Sequence, residues 1–222
     1  LNLKNGFNFS NITGVDIKNN NFRGMSNDGM IVGGLIGAEI SGNDFRNFKS
    51  NPNTKHKDGI QFNTSDSIAP SRNVLIKDNV IVNPEQSHGI FFGNGLAHKK
   101  ATAYYQDITI ADNYLNTAQK LGITIEHGWK IKIQNNTVVQ NTDMYKGGDQ
   151  INIPVINVSS SSMHVTITGN TVPSVPNAAN GTWTVSGNKT GSKKLLHWDS
   201  PIKSSPSLSA EALKTTETTK ST

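Results

Sequence analysis

A four-residue motif recurs seven times along this 222-residue chain. It consists of Ile or Val, any residue, then Gly, Asp or Asn, and a final Asn. The final residues are Asn20, Asn43, Asn79, Asn113, Asn136, Asn170 and Asn188, separated by 23, 36, 34, 23, 34 and 18 residues. Repeats of this length are typical of stacked architectures, in which one unit cannot bury its apolar face without its neighbours.

Each copy indicates a short strand that ends in a tight turn. The β-branched residue favours a strand. Gly, Asp and Asn tolerate left-handed backbone or hydrogen-bond within their own turn. If the turns stack, each Asn lies above the previous one and the side-chain amides can hydrogen-bond along the axis. Because such Asn ladders stabilise stacked sheets, the sequence predicts an internal Asn ladder.

A second motif interleaves with the first, and its strands are led by Gly. Its copies are Asp28–Val32, Asp58–Phe62, His88–Phe92, Leu121–Ile125 and, more weakly, Gln150–Ile153. Period-2 alternation predicts that the apolar residues Ile60, Phe62, Ile90, Phe92, Ile123 and Ile125 point inward. The residues of opposite parity are predicted to point outward: Gly59, Gln61, Asn63, Gly89, Phe91, Gly93, Gly122, Thr124 and Glu126.

The composition suits a thin, turn-rich solenoid. Only 34% of the residues are hydrophobic and 20 are Gly, which would be low in apolar content for a compact α/β enzyme. Cysteine is absent, which excludes disulfides, thiolate metal sites and a Cys nucleophile. No apolar run is long enough for a transmembrane helix. The chain opens in polar, strand-like sequence with neither an initiator Met nor a signal peptide, and we interpret it as a fragment or mature piece of something longer.

The stacked Asn turns and Asp-Gly-Ile strands resemble the right-handed parallel β-helix, or pectin-lyase-like, superfamily over residues 10–190. A right-handed winding is expected because parallel crossovers are strongly right-handed. We expect an all-β fold with a β-helix domain over residues 1–191. Residues 192–222 are predicted to form a C-terminal cap and a flexible tail, since they are rich in Ser, Thr, Lys and Pro. The superfamily includes lyases, hydrolases, epimerases, adhesins and phage tailspikes, so the fold alone does not specify an activity.

Asp58 and His88 form the centre of the candidate site. Both stand directly before the Gly of their motif, so stacked coils would place them about 4.8 Å apart. A carboxylate in that position orients an imidazole and raises its basicity. Lys55, His56 and Lys57 approach the same edge from a long insertion, and insertions in a solenoid often form the working face.

The cluster is similar to polysaccharide-active β-helices, including the mannuronan C5-epimerase group. That group has an Asp-Pro-His type motif on a comparable strand, whereas this chain has His56-Lys57-Asp58. The resemblance implies a uronate-containing polysaccharide as the partner. Epimerisation or β-elimination of a uronan begins with removal of the C5 proton, which requires a cation beside the sugar carboxylate, a base and an acid.

Several side chains could fill these roles. The candidates are Lys55 or Lys57 for the cation, His56 or His88 for the base with Asp58 orienting it, and Tyr104 or Tyr105 for the acid. The candidates for binding the sugar are Gln61, Asn63, Glu126 and Phe91, of which Phe91 would stack on a pyranose face.

Structural interpretations of the same residues stay open. Asp58 could cap a turn, His88 could be a packed turn residue, and Phe91 could cover a loop or a trimer partner. Two function classes follow. The first is a polysaccharide lyase or epimerase, or a glycoside hydrolase, acting on an acidic glycan. The second is a non-catalytic tailspike or adhesin segment that binds glycan or forms a homotrimer. Both classes place the protein outside the cell or at a cell or virion surface.

Other chemistries have little support in the sequence. Asp and Asn oxygens could bind Ca²⁺, but no calcium-binding loop or repeat is present, and we predict neither a metal site nor a cofactor. The net charge of +5 could attract an acidic polymer or could be a general surface excess. The basic residues are scattered without interleaved aromatics, so we predict no nucleic-acid partner.

Overall fold

The structure, a computed structural model, describes residues 4–49, 57–83, 87–141 and 152–191. In this part of the chain nearly all regular structure is β-strand, and the one helix is a short 3₁₀ segment, Gly95–His98. The strands form three parallel sheets, and a full coil contributes one strand to each sheet. The predicted fold class, an all-β parallel β-helix, is confirmed.

The three sheets each collect strands from successive coils. Sheet A contains β1 (Phe7–Ser10), β4 (Met30–Gly33), β7 (Asp58–Phe62), β10 (His88–Phe92), β13 (Leu121–Ile125) and β16 (Val155–Val158). Sheet B contains β2 (Thr13–Lys18), β5 (Ile36–Ser41), β8 (Arg72–Lys77), β11 (Tyr105–Ala111), β14 (Gly128–Gln134), β17 (Met163–Thr168) and β18 (Thr184–Ser186). Sheet C contains β3 (Asn21–Arg23), β6 (Asp44–Arg46), β9 (Val80–Asn83), β12 (Tyr114–Thr117) and β15 (Thr137–Gln140).

The core is built from columns of similar residues. Ile60, Ile90 and Ile123 are register partners on adjacent strands and are fully buried. Phe62 and Phe92 lie one coil apart, with their rings stacked at a centroid separation of 4.0 Å. The predicted inward parity of the sheet A strands is therefore confirmed for their apolar residues.

The predicted Asn ladder is present and includes all seven copies of the motif. Asn113 shows the repeating geometry. Its Oδ1 accepts from the backbone N–H and the Nδ2 of Asn79, at 3.0 and 2.9 Å, and its Nδ2 donates to the Oδ1 of Asn136 at 2.9 Å. The same Nδ2 also donates to the Ile76 carbonyl of the coil before. The residue that precedes each ladder Asn has a left-handed φ between 54° and 68°, which explains the preference for Gly, Asp and Asn there.

The Gly residues that lead the sheet A strands do not face outward as predicted. A Cβ at Gly59 would lie 2.7 Å from the Ile81 side chain, and one at Gly89 would lie 2.2 Å from Leu115. Ile81 and Leu115 are buried residues of sheet C. Gly is needed at this corner because sheet C side chains pack directly against the strand backbone.

The described solenoid ends with β18, and Lys189 forms an isolated bridge with Thr171 just beyond it. The cap and tail predicted for residues 192–222 lie outside the described residues and stay a prediction.

We predict that Asn113→Ala lowers the free energy of unfolding by about 2–4 kcal/mol, because it leaves buried N–H groups of the neighbouring coil without an acceptor. Asn20→Ala is the matched control, since within the described residues no N–H donates to the Asn20 side chain. We expect that variant to lose about 1 kcal/mol or less. Urea unfolding followed by circular dichroism measures both, and equal losses would contradict a structural role for the ladder.

We also predict that Gly59→Ala destabilises the protein by about 1–3 kcal/mol, since the added methyl group overpacks the corner against Ile81. Gly181→Ala is the control, because a Cβ there meets no atom within 4 Å. Thermal unfolding of the two variants distinguishes crowding from a general effect of replacing Gly. An unchanged melting temperature for Gly59→Ala would show that the corner has room for a side chain.

Candidate functional site

Asp58 and His88 are brought into direct contact by the stacking of β7 and β10. They are register partners, and Nδ1 of His88 lies 3.1 Å from Oδ1 of Asp58. The backbone N–H of His88 donates to the Lys57 carbonyl at 2.8 Å, which fixes the strand position. The sequence prediction that these two side chains are neighbours is confirmed.

The two partners differ in exposure. Asp58 is fully buried, whereas the His88 side chain is 12% exposed. The preceding coil contributes a second carboxylate at the same position. Oδ1 of the buried Asp28 accepts from the Asp58 backbone N–H at 2.8 Å. An ionised carboxylate can only accept hydrogen bonds, so a neutral His88 must carry its proton on Nδ1. This tautomer leaves Nε2 as the basic nitrogen.

The outward face of sheet A beside His88 combines polar and aromatic side chains. Gln61, Phe91 and Thr124 are register partners on β7, β10 and β13. Gln61 and Phe91 are half-buried, whereas Thr124 is only 1% exposed. The Phe91 ring lies 6.1 Å from the His88 ring and extends over Gly93, where a Cβ would be 2.7 Å from it. Phe91 thus lies beside His88, and Gln61 lies next to Phe91 on the adjacent strand.

Lys57 does not lie on this outward face. Its side chain is buried, at 3% exposure for the residue, and its Nζ donates to the Lys49 carbonyl at 3.0 Å. The amine is directed into the insertion rather than toward a substrate, which removes it as the cation of the candidate site. Lys55 and His56 lie outside the described residues, and their roles stay predictions.

Tyr105 is also buried, which corrects its predicted place at the substrate. It is fully buried, and its hydroxyl donates to the Gly93 carbonyl at 2.7 Å. Burial, together with the nearby charge of Glu126, raises the pKa of Tyr105 well above its ordinary value. The side chain belongs to the core and has no access to a sugar on sheet A.

Glu126 helps to fix a loop, a role that the sequence did not indicate. Its Oε2 accepts from the Asn94 backbone N–H at 2.7 Å. The Asn94 side chain is buried, donates to the Ala103 carbonyl and accepts from Ala97 in the first turn of the 3₁₀ segment. Asn63, which directly follows β7 on the preceding coil, is half-buried. The buried Asn94 could not be distinguished by sequence from other loop Asn residues.

No group of three or more His, Asp or Glu residues capable of holding a metal ion occurs among the described residues. In the same part of the chain, no helix has the length and apolar character needed to cross a membrane.

A sequence model described as the right handed beta helix region matches residues 5–172. This match covers well over half of the chain, so the protein belongs to the right-handed β-helix family. Searches of curated proteins and of solved structures returned no match. The family defines the fold and the handedness of the coils, and the activity has to be argued from the site.

The raised pKa of Tyr105 predicts a loss of stability in alkali. The folded state holds this phenolic proton more tightly than the unfolded state, so the contribution is present below the ordinary tyrosine pKa of about 10 and is lost as the pH rises above it. We expect Tyr105→Phe to be less stable by about 1 kcal/mol at pH 8, because the Gly93 carbonyl loses its donor. The variant should also show a shallower decline above about pH 10. Urea unfolding across this pH range tests both, and parallel declines would contradict the assignment.

Proposed function

We propose that the protein binds an extended, uronate-containing polysaccharide across the outward face of sheet A, and that His88 removes a proton from the bound sugar. The contact between the partly exposed His88 ring and the fully buried Asp58 carboxylate carries this proposal. A buried carboxylate requires a close partner. Here the partner is an imidazole at the edge of a polar and aromatic surface. An acid–base pair in that position can exchange a proton with a bound ligand.

Binding rests on side chains along and just beyond the two strands that carry Asp58 and His88. Phe91 offers an aromatic face for a pyranose ring, and Gln61 and Asn63 offer amide donors and acceptors for sugar hydroxyls. Asn157 is exposed on β16 and extends the polar surface along the sheet. Adjacent strands are about 4.8 Å apart, so an extended chain of sugars lying across the strands would meet one strand after another.

The proposed reaction begins at C5 of a uronate. Nε2 of His88 takes the C5 proton, and the electron pair of the broken C–H bond moves toward the sugar carboxylate. Asp58 stabilises the resulting imidazolium through Nδ1. The intermediate then follows one of two branches. In elimination the C4–O bond breaks, the departing glycosidic oxygen takes the proton back from the His88 imidazolium, and a C4–C5 double bond remains. In epimerisation a water molecule on the opposite face gives C5 a proton, which inverts C5, and the imidazolium returns its proton to solvent. Lys55 and His56 remain candidates for neutralising the sugar carboxylate.

A second candidate function is glycan binding without turnover. The burial of Lys57 and Tyr105 favours it, because two of the four residues predicted as the cation and the acid are turned away from sheet A. In this case the protein is a tailspike-like or adhesin-like segment, and the same surface serves attachment or contact in a homotrimer. Both candidates place the protein outside the cell or at a cell or virion surface.

The test is incubation with a panel of polyuronates and acidic capsular polysaccharides. Ultraviolet absorbance detects an unsaturated product, and proton NMR detects inverted residues. We expect His88→Ala to lower kcat by about 100-fold or more, and Asp58→Asn to lower it as well by removing the group that orients the ring. Phe91→Ala should raise KM with less effect on kcat. His98→Ala is the matched control, since His98 is exposed on the 3₁₀ segment, and it should retain full activity.

The possible outcomes separate the two candidates. Binding of one polymer without any product, weakened by Phe91→Ala and insensitive to His88→Ala, would favour the non-catalytic function. Turnover that survives both His88→Ala and Asp58→Asn would remove the catalytic assignment. The absence of binding and of turnover with every polymer on the panel would contradict both candidates.

A further inference from the structure

A second surface with the character of a ligand site lies on sheet B. An open groove of about 440 Å³ runs across β11, β14 and β17. Its lining residues are Asp107, Thr109, Lys130, Lys132, His164 and Thr166. The groove belongs to a different sheet from His88, so it does not depend on the function proposed for sheet A.

One row of the groove is formed by a left-handed kink that is stacked from coil to coil. At the same position on each coil the residue has a left-handed backbone and is skipped in the strand register. The members of this row are Gly14, Gly37, Asn73, Asp107, Lys130 and His164, with φ between 53° and 69°. Gly, Asn, Asp and His are the residues most often found in this conformation, so Lys130 is the member of the row that departs from the pattern.

Lys130 is the least expected member of the row. A left-handed φ of 56° is unfavourable for a Lys side chain. Its ion pair with Asp107 is long, at 3.9 Å, and more than half of the Lys130 side chain is exposed, so the pair adds little stability. Gly or Asn would suit the backbone better, as the earlier coils show. Backbone strain of this kind is common at functional sites.

An aromatic cluster borders the groove. The Trp129 ring lies 4.7 Å from that of His164 and 5.8 Å from that of Tyr104, which in turn stacks on His127 at 3.9 Å. His127 is fixed at both nitrogens, by the Ala101 carbonyl at 2.6 Å and the Ser161 hydroxyl at 2.9 Å. Tyr104, His127 and Trp129 are partly exposed and His164 is exposed. The cluster therefore offers a fixed aromatic surface next to the row that contains Asp107 and Lys130.

We infer that this groove binds an acidic sugar residue, separately from the surface on sheet A. The carboxylate would lie between the ammonium groups of Lys130 and Lys132, and the pyranose face would stack on Trp129. Thr109 and Thr166 lie on either side of Lys132 in register and would bond to hydroxyls. Asp107 would accept from a further hydroxyl, and its negative charge disfavours phosphate-rich ligands such as nucleic acid.

The experiment is isothermal titration calorimetry with a galacturonate tetrasaccharide, carried out in the Phe91→Ala background to weaken binding at sheet A. We expect measurable binding that weakens with added salt. A neutral galactose tetrasaccharide should bind far more weakly, and inorganic phosphate should not displace the galacturonate.

Lys130→Asn is the decisive variant, because Asn73 already occupies the equivalent position at nearly the same φ. We expect the melting temperature to stay equal or to rise as the strain is relieved, while Kd increases by about fivefold. Trp129→Ala should increase Kd by about tenfold. Lys189→Asn is the charge-matched control from outside the groove, and it should leave Kd unchanged.

Three results would overturn the inference. One is no galacturonate binding in the Phe91→Ala background. Another is binding that is unaffected by Lys130→Asn and Trp129→Ala. The third is equal loss of affinity in Lys189→Asn, which would show a general charge effect. None of these results bears on His88, because turnover at sheet A is measured separately with the Phe91 side chain intact.

Discussion

The hydrogen bonds between buried Asn side chains of successive coils determine how this solenoid is assembled. The oxygen of each interior amide accepts from the backbone N–H and the side-chain NH₂ of the Asn one coil before, and its own NH₂ donates to the Asn one coil after. A coil therefore cannot shift along or around the axis without leaving buried donors unpaired. The ladder steps vary from 18 to 36 residues, which means that extra residues are accommodated away from the ladder, in loops. The ladder fixes the corner between sheets B and C, whereas His88 is placed over Asp58 by the parallel register of β7 and β10.

Much of this arrangement could be predicted from the sequence because the relevant patterns are local. The Asn motif predicted the ladder, and strict alternation predicted the inward Ile and Phe residues. The Asp58–His88 contact was predicted from their equivalent positions in the second motif on stacked coils. The failures come from features that alternation cannot represent. Gly59 faces inward, where a sheet C side chain packs against the corner. Lys57 and Tyr105 are buried and bond to the carbonyls of Lys49 and Gly93, which lie outside the repeated motifs. The sheet B groove was missed because the left-handed kink interrupts the inward–outward alternation of side chains in these strands.

The two candidate surfaces share a structural element. The segment between β10 and β11 leaves sheet A at Asn94, which is held by Glu126, and approaches sheet B where the Ala101 carbonyl contacts His127. Asp66 and Lys99 form an exposed ion pair that joins the same segment to the preceding coil. The loop is thus attached at both sheets, and the aromatic cluster beside the groove depends on its position. A glycan that contacted both surfaces would have to pass along this loop.

The Asn column has a direction. The ladder carboxamides share one orientation: from Asn20 to Asn170 each Nδ2 donates to the Oδ1 of the following coil, so from Asn43 to Asn188 each Oδ1 accepts from the coil before. Their dipoles therefore add, as peptide dipoles do in a helix, and the column has electric polarity along the solenoid axis. The acceptor end lies at Asn20 and the donor end lies toward Asn188. Two such solenoids joined end to end in the same orientation could continue the column, whereas a head-to-head junction would oppose like ends.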